Sequence, residues 1–181
     1  VVRLSPKKII EIGSGHSTRF TIKAIIDHNL QSIIECIDPE PRASFSSFPF
    51  VRHVNSALDV ANIENLSLDS GDILFVDSSH ILMPGSDVDI IINKILPKLP
   101  TGVFVHFHDI FLPDGYPKIW KWRSYNEQSA VAQIIQNDSW SIEWSSHYFI
   151  SRMKPHFEKS VLDKIILVPG AFESSLWLRK R

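Results

Sequence analysis

Two hydrophobic periods take turns along the chain. Residues 8–12, with isoleucines at 9, 10 and 12, read as a buried strand, and 17–29 follow with Phe20, Ile22, Ala24, Ile25 and Ile26 near the 3.6-residue period of a helix, which Ser17 or Thr18 is placed to cap. A second strand is predicted over 32–37, stopped by Pro39 and Pro41, and a third over 50–56. The helix expected between those two strands is nearly absent. Residues 57–68 read as a weak helix or loop, whereas Ile73 to Val76 have the unbroken apolar character of a strand buried on both faces. A helix from Ser86 to about Pro97, a fifth strand over 102–110 and a helix behind Asn126 as its cap come next. Residues 141–150 read as a sixth strand, 151–169 as polar and partly helical, and 175–180 as a seventh strand. Strand and helix signals in this order predict one α/β domain over 1–181, a mainly parallel sheet with helices on both faces. The abrupt opening at Val1 leaves room for a segment upstream.

Composition narrows the function. The chain has 181 residues, 44% hydrophobic and 22% charged, and a net charge of -1, so no basic field exists to hold a nucleic-acid backbone. No apolar run reaches a membrane span and no signal-peptide pattern opens the chain, which predicts a soluble, cytoplasmic protein with neither nucleic-acid nor membrane partners. The single cysteine, Cys36, is expected to be a buried strand thiol in a reducing compartment. A homo-oligomer is compatible with all of this.

Gly13-Ser14-Gly15 interrupts the chain where the first strand should end. In an open parallel sheet, ligands sit beyond the carboxyl ends of the strands, and glycines at such a bend let a ligand approach the backbone. Asp38 stands 23 residues after Gly15, at the end of the second strand, where a carboxylate can accept hydrogen bonds from ribose hydroxyls or form a turn before Pro39. The dinucleotide fingerprint would need a third glycine at position 18, which is Thr18, so a nicotinamide cofactor is disfavoured. Asp77 and His80 end the fourth strand and His108 and Asp109 end the fifth, so a parallel sheet brings four bases or metal ligands to the edge that carries the glycine bend.

The blocks EIGSGHST, CIDPEP, GDILFVDSSH and GVFVHFHDIFLPDGYP, in that order, resemble the class I S-adenosylmethionine-dependent methyltransferases. More narrowly, they are similar to the small-molecule and sugar O-methyltransferases and the cephalosporin-hydroxylase-like group. The resemblance implies a Rossmann-like sheet of seven strands ending in an antiparallel hairpin, with S-adenosylmethionine as cofactor. It implies that Glu11, Gly13, Ser14 and Gly15 hold the methionine part and ribose, that Asp38 binds the ribose hydroxyls, and that Asn55 and Ser56 border adenine. It further implies Asp77, also beside the cofactor, with His108 and Asp109 as ligands of a divalent cation, magnesium or manganese, and His80 as a base that must be neutral to accept a proton. The expected activity is methyl transfer to a hydroxyl of a small molecule, anionic or sugar-containing. The loop 111–128 is expected to cover the substrate, with Tyr116, Trp120, Trp122 and Tyr125 for a ring and Lys118, Lys121 and Arg123 for an acidic group. The alternatives are a non-catalytic binding module of the same fold and a nicotinamide-dependent oxidoreductase.

Overall fold

The computed structural model describes residues 1–45, 48–59, 63–64, 66–166 and 168–181. Its centre is a sheet in the order β3-β2-β1-β4-β5-β7-β6, built from β1 (Lys8–Ile12), β2 (Ile33–Ile37), β3 (Val51–Val54), β4 (Ile73–Val76), β5 (Phe104–Phe107), β6 (Trp140–Ser145) and β7 (Leu176–Lys180). The first five strands run parallel; β7 is antiparallel to both β5 and β6. This is the seven-stranded Rossmann-like arrangement with an antiparallel ending that the family resemblance implies.

Alternation along each strand splits the core between the two faces of the sheet. Ile10, Ile12, Leu74, Val76, Val105, Phe107 and Leu178 point to one side. There they meet the helix α2 (Asp87–Ile90), its π-helical continuation Ile91–Ile95, and Val131 of the helix α3 (Glu127–Ile134). Ile34 and Cys36 point to the other side, against Ile22 and Ile25 of the helix α1 (His16–Asp27). Cys36 is therefore the buried strand thiol expected, and desolvation raises its pKa further from neutrality. Glu11, Phe75, His106 and Trp177 are register partners across four adjacent strands of this same face.

Several local expectations change. The buried stripe of α1 is Thr18, Ile22 and Ile25, while Phe20 and Ile26 stay 75% and 53% exposed. Ser17 and Thr18 lie inside the first turn, and Gly15 is the cap. Ser86 caps α2 as predicted, its hydroxyl accepting from Asp89 N–H at 3.2 Å, but regular helix ends at Ile90 and passes through a π turn and the 3₁₀ turn Leu96–Lys98, where Pro97 has no N–H to continue the ladder. The predicted sixth strand stops at Ser145, whose hydroxyl caps a new helix, α4 (Ser146–Arg152). The weak helix expected over 57–68 falls partly outside the described residues. No helix among the described residues is long and apolar enough to cross a membrane.

At the amino-terminal edge of the sheet, buried Asp72 joins two neighbouring strands. Its carboxylate accepts from Lys7 N–H (3.1 Å), Lys8 N–H (2.8 Å) and Asp69 N–H (2.8 Å). Replacing Asp72 by alanine leaves these donors unpaired at a buried position, so Asp72→Ala is expected to lower the unfolding free energy by about 2 to 4 kcal/mol. Urea denaturation checks this, as a lower midpoint with an unchanged slope.

Candidate functional site

The glycine bend is held from beneath. Gly15 N–H donates to Thr18 Oγ1 (2.9 Å), and that hydroxyl donates to Glu11 Oε2 (2.6 Å). Ser17 Oγ donates to the other oxygen of Glu11 at 2.6 Å. Burial raises the pKa of Glu11, opposed by the hydroxyls of Ser17 and Thr18. Glu11 is 2% exposed and shapes the turn from below rather than facing the cleft above it. Ser14 donates both its N–H (2.6 Å) and its hydroxyl (3.1 Å) to Asp38 Oδ2, and Asp38 Oδ1 accepts from Glu40 N–H (2.7 Å). Asp38 thus makes the turn before Pro39 and also ties the end of β2 to the bend.

Gly13 is required for a reason the sequence did not disclose. At φ +78°, a Cβ on Gly13 would lie 1.8 Å from the carbonyl oxygen of Asp77. The bare backbone admits the end of β4, and the space left open for a ligand is elsewhere. Above the bend lies a cleft of about 640 Å³, walled by Gly13 to Ser17, Asp38, Ala57 and Leu58, Phe75, Asp77 and His108. Residues from the ends of β1, β2, β4 and β5 therefore share one cavity, at the carboxyl edge where this class of sheet binds ligands. The segment after β3 contributes Ala57 and Leu58; Asn55 and Ser56 stand just before them in the chain.

Beside the cleft, the predicted acids and histidines come together around one imidazole. His80, with φ +60° and 3% exposed, places Nε2 at 3.3 Å from Asp77 Oδ1 and 3.7 Å from Asp109 Oδ2. Its Nδ1 is 2.8 Å from Oε2 of Glu127, which is wholly buried. The backbone agrees: Asn126 N–H and Glu127 N–H both donate to the carbonyl of His80, at 3.1 and 3.2 Å. Burial alone would lower the His80 pKa, but the hydrogen bonds to Asp77 and Glu127 and the Asp109 charge outweigh it and raise it to about 9. For Asp77, desolvation is likewise outweighed by His80, His108 and Arg42, and its carboxyl stays below the usual range. These contacts favour the protonated ring, so the neutral form that the expected proton-accepting role of His80 requires is reached on the alkaline side. Glu127 went unnoticed in the sequence, where it reads as a first-turn helix acid behind Asn126; only the packing of α3 onto β4 reveals it.

The three predicted metal ligands do not form a cation cage. Asp77 and Asp109 face each other across His80 Nε2, and His108 Nε2 lies 3.3 Å from Asp109 Oδ1, an oxygen that also accepts from Ser174 Oγ at 3.0 Å. Among the described residues no three His, Cys, Asp or Glu side chains converge as ligands.

The loop after β5 packs over this cluster. Tyr125 lies against His80 with ring centroids 4.5 Å apart. Gln128 accepts from Phe111 N–H (3.0 Å), donates its side-chain amide to Asp114 O (3.2 Å), and donates its own N–H to Tyr116 OH (3.2 Å). Asn126 does not cap α3 with its side chain; it exchanges hydrogen bonds with the backbone of Leu82 instead.

The order of strands and the cleft at their carboxyl edge define a class I S-adenosylmethionine-dependent methyltransferase fold. A methyltransferase-domain family model matches residues 10–110, and the chain belongs to that family. Similar solved structures include the magnesium- and S-adenosylmethionine-bound CmcI (14% identity, TM-score 0.58, 99% of this chain and 67% of that one). They also include the S-adenosylhomocysteine-bound methyltransferase PaMTH1 of Podospora anserina (17%, 0.59, 99% and 74%) and the cofactor-bound Rv0187 from MTB (9%, 0.58, 99% and 75%). No curated protein matches the sequence. Membership of this family displaces the nicotinamide alternative.

The Gly13 contact gives a direct test. Gly13→Ala combines a strained backbone with a clash against Asp77 and is expected to destabilise the fold by about 3 kcal/mol or more. Thermal and urea unfolding measured without cofactor check this; a variant as stable as the parent would contradict the 1.8 Å approach.

Proposed function

We propose that the chain transfers the methyl group of S-adenosylmethionine to a hydroxyl of a small molecule. The observation that carries this reading is the adjacency of a cleft edged by the glycine bend and Asp38 with a buried imidazole set between Asp77 and Asp109. When bound, the cofactor supplies an electrophilic methyl on a sulfonium. An acceptor hydroxyl held in line with that methyl would have to lose its proton, so the chain itself must supply a base.

The chain's own residues divide that work. Asp38 keeps acceptor capacity on Oδ1, which carries one hydrogen bond from Glu40, and this suits ribose hydroxyls. The ionised Asp77, on the cleft wall, complements a sulfonium. Above the imidazole pKa His80 has lost its Nε2 proton to solvent, and Nε2 then receives the acceptor proton while Glu127 fixes the ring through Nδ1. Alignment of the two reactants supplies the rest of the acceleration, because in-line transfer needs little covalent help. The non-catalytic alternative differs only in lacking turnover.

Two experiments test the reading. Titration calorimetry should show S-adenosylmethionine binding to the wild-type chain, weakened by about 1 to 3 kcal/mol in Asp38→Ala; absence of binding in the wild type would overturn the proposal. With an acceptor in hand, His80→Ala should lower kcat by about 10² to 10⁴ with cofactor affinity unchanged. Glu127→Gln should show a smaller kcat loss, since its amide oxygen still accepts from Nδ1–H. Equal turnover in all three proteins would remove His80 and Glu127 from the mechanism.

A further inference from the structure

A second cavity, of about 560 Å³, lies within the loop that covers His80. Its walls are Tyr116, Trp120 and Tyr125, with Lys118 and Lys121 at its margin. The rings meet edge to face, Tyr116 with Tyr125 at 5.7 Å and Trp120 with Tyr125 at 6.0 Å, and so form a rigid corner. Arg123 braces it: the guanidinium lies 4.3 Å from the Trp120 ring centroid and donates to Tyr125 OH at 3.0 Å. Tyr125 is also the ring packed on His80, so one side chain is the partition between this cavity and the proposed catalytic group.

The charge of the loop is unbalanced. Among the described residues no carboxylate is paired with Lys118, Lys121 or Arg123, and Arg123 Nε is buried without a hydrogen-bond partner. Asp114, the acid of the loop, is already taken by His147 (2.9 Å) and Arg152 (2.5 Å). Tyr116 OH accepts from Gln128 N–H and its pKa is driven up, first by burial, so the phenol keeps a proton to donate.

We propose that this cavity seats an anionic ring, an aromatic or sugar ring bearing a carboxylate or phosphate, as the recognition end of the methyl acceptor. The rings of Tyr116, Trp120 and Tyr125 take its flat face, and Lys118, Lys121 and Tyr116 OH take its anion. This rests on the methyl-transfer reading, because the cavity is separated from His80 by the Tyr125 ring alone.

Ligand-observed saturation-transfer NMR on the full chain tests it with paired probes: para-hydroxybenzoate against para-hydroxybenzamide, and a hexose phosphate against the free hexose. At least one anion should bind roughly tenfold more tightly than its neutral partner and lose that preference at high salt. The preference should also be lost in a Lys118→Gln/Lys121→Gln double variant and reduced in Tyr116→Phe, which keeps the wall. The pair that shows the preference identifies the ring as aromatic or sugar. Equal binding within both pairs, or a preference that survives in the double variant, overturns the proposal. Calorimetry with S-adenosylmethionine on the same samples separates the two readings. Cofactor binding without anion preference removes the cavity alone; anion preference without cofactor binding removes methyl transfer and leaves the cavity as an anion site.

Discussion

The carboxyl edge of the sheet is organised by one buried imidazole among three carboxylates. His80 meets Asp77 on its own loop, Asp109 from the end of β5 and Glu127 from α3, and its carbonyl anchors the first turn of that helix. Polar groups held this way are stable only while each keeps its partner, since removing one leaves another unpaired at a largely buried position. The same bonds that hold β4, β5 and α3 together also orient Nε2 beside the cleft. Structural cohesion and the proposed proton transfer therefore depend on the same atoms.

On the cleft side, the loop after β1 is shaped before any ligand arrives. Glu11, inaccessible beneath it, binds the hydroxyls of Ser17 and Thr18, and Thr18 in turn accepts from Gly15 N–H. Asp38 holds Ser14 from the side. A turn braced from two directions has little conformational freedom left to lose on binding, and this preorganisation is what a cofactor site needs. Gly13 makes it possible by letting the Asp77 backbone come close, which sets the distance between the ends of β1 and β4.

The covering loop follows the same logic. Without regular secondary structure apart from the 3₁₀ turn Lys118–Arg123, it is fixed by Gln128, by the Asp114–Arg152 pair to α4, and by a chain of edge-to-face rings from Phe111 through Trp120 to Tyr125. Aromatic contacts and side-chain bonds to backbone here replace the ladder of a strand or helix, so the loop presents walls of defined position above the acid–histidine cluster.

The sequence by itself determined the alternation of strands and helices, the mainly parallel sheet, and the collection of Gly13, Asp38, Asp77, His80, His108 and Asp109 at one edge. These follow from hydrophobic periodicity and from the fact that parallel strands all end on the same side. The helical period collects Phe20 and Ile26 together with Ile22 and Ile25, and which of these face inward was decided only by the packing partner. The change from strand to helix at Ser145 was hidden for a related reason: residues 141–150 suit either conformation, and pairing with β7 ends where the Ser145 hydroxyl caps α4. Only the tertiary structure decided that Gly13 yields to Asp77, that Glu11 lies below the cleft, and that Glu127, 47 residues after His80, is the partner of its Nδ1. Contacts between elements distant in the chain leave no local period, and the hydrogen bonds to Asp77 and Glu127 that raise the pKa of His80 join residues that no short stretch of sequence contains.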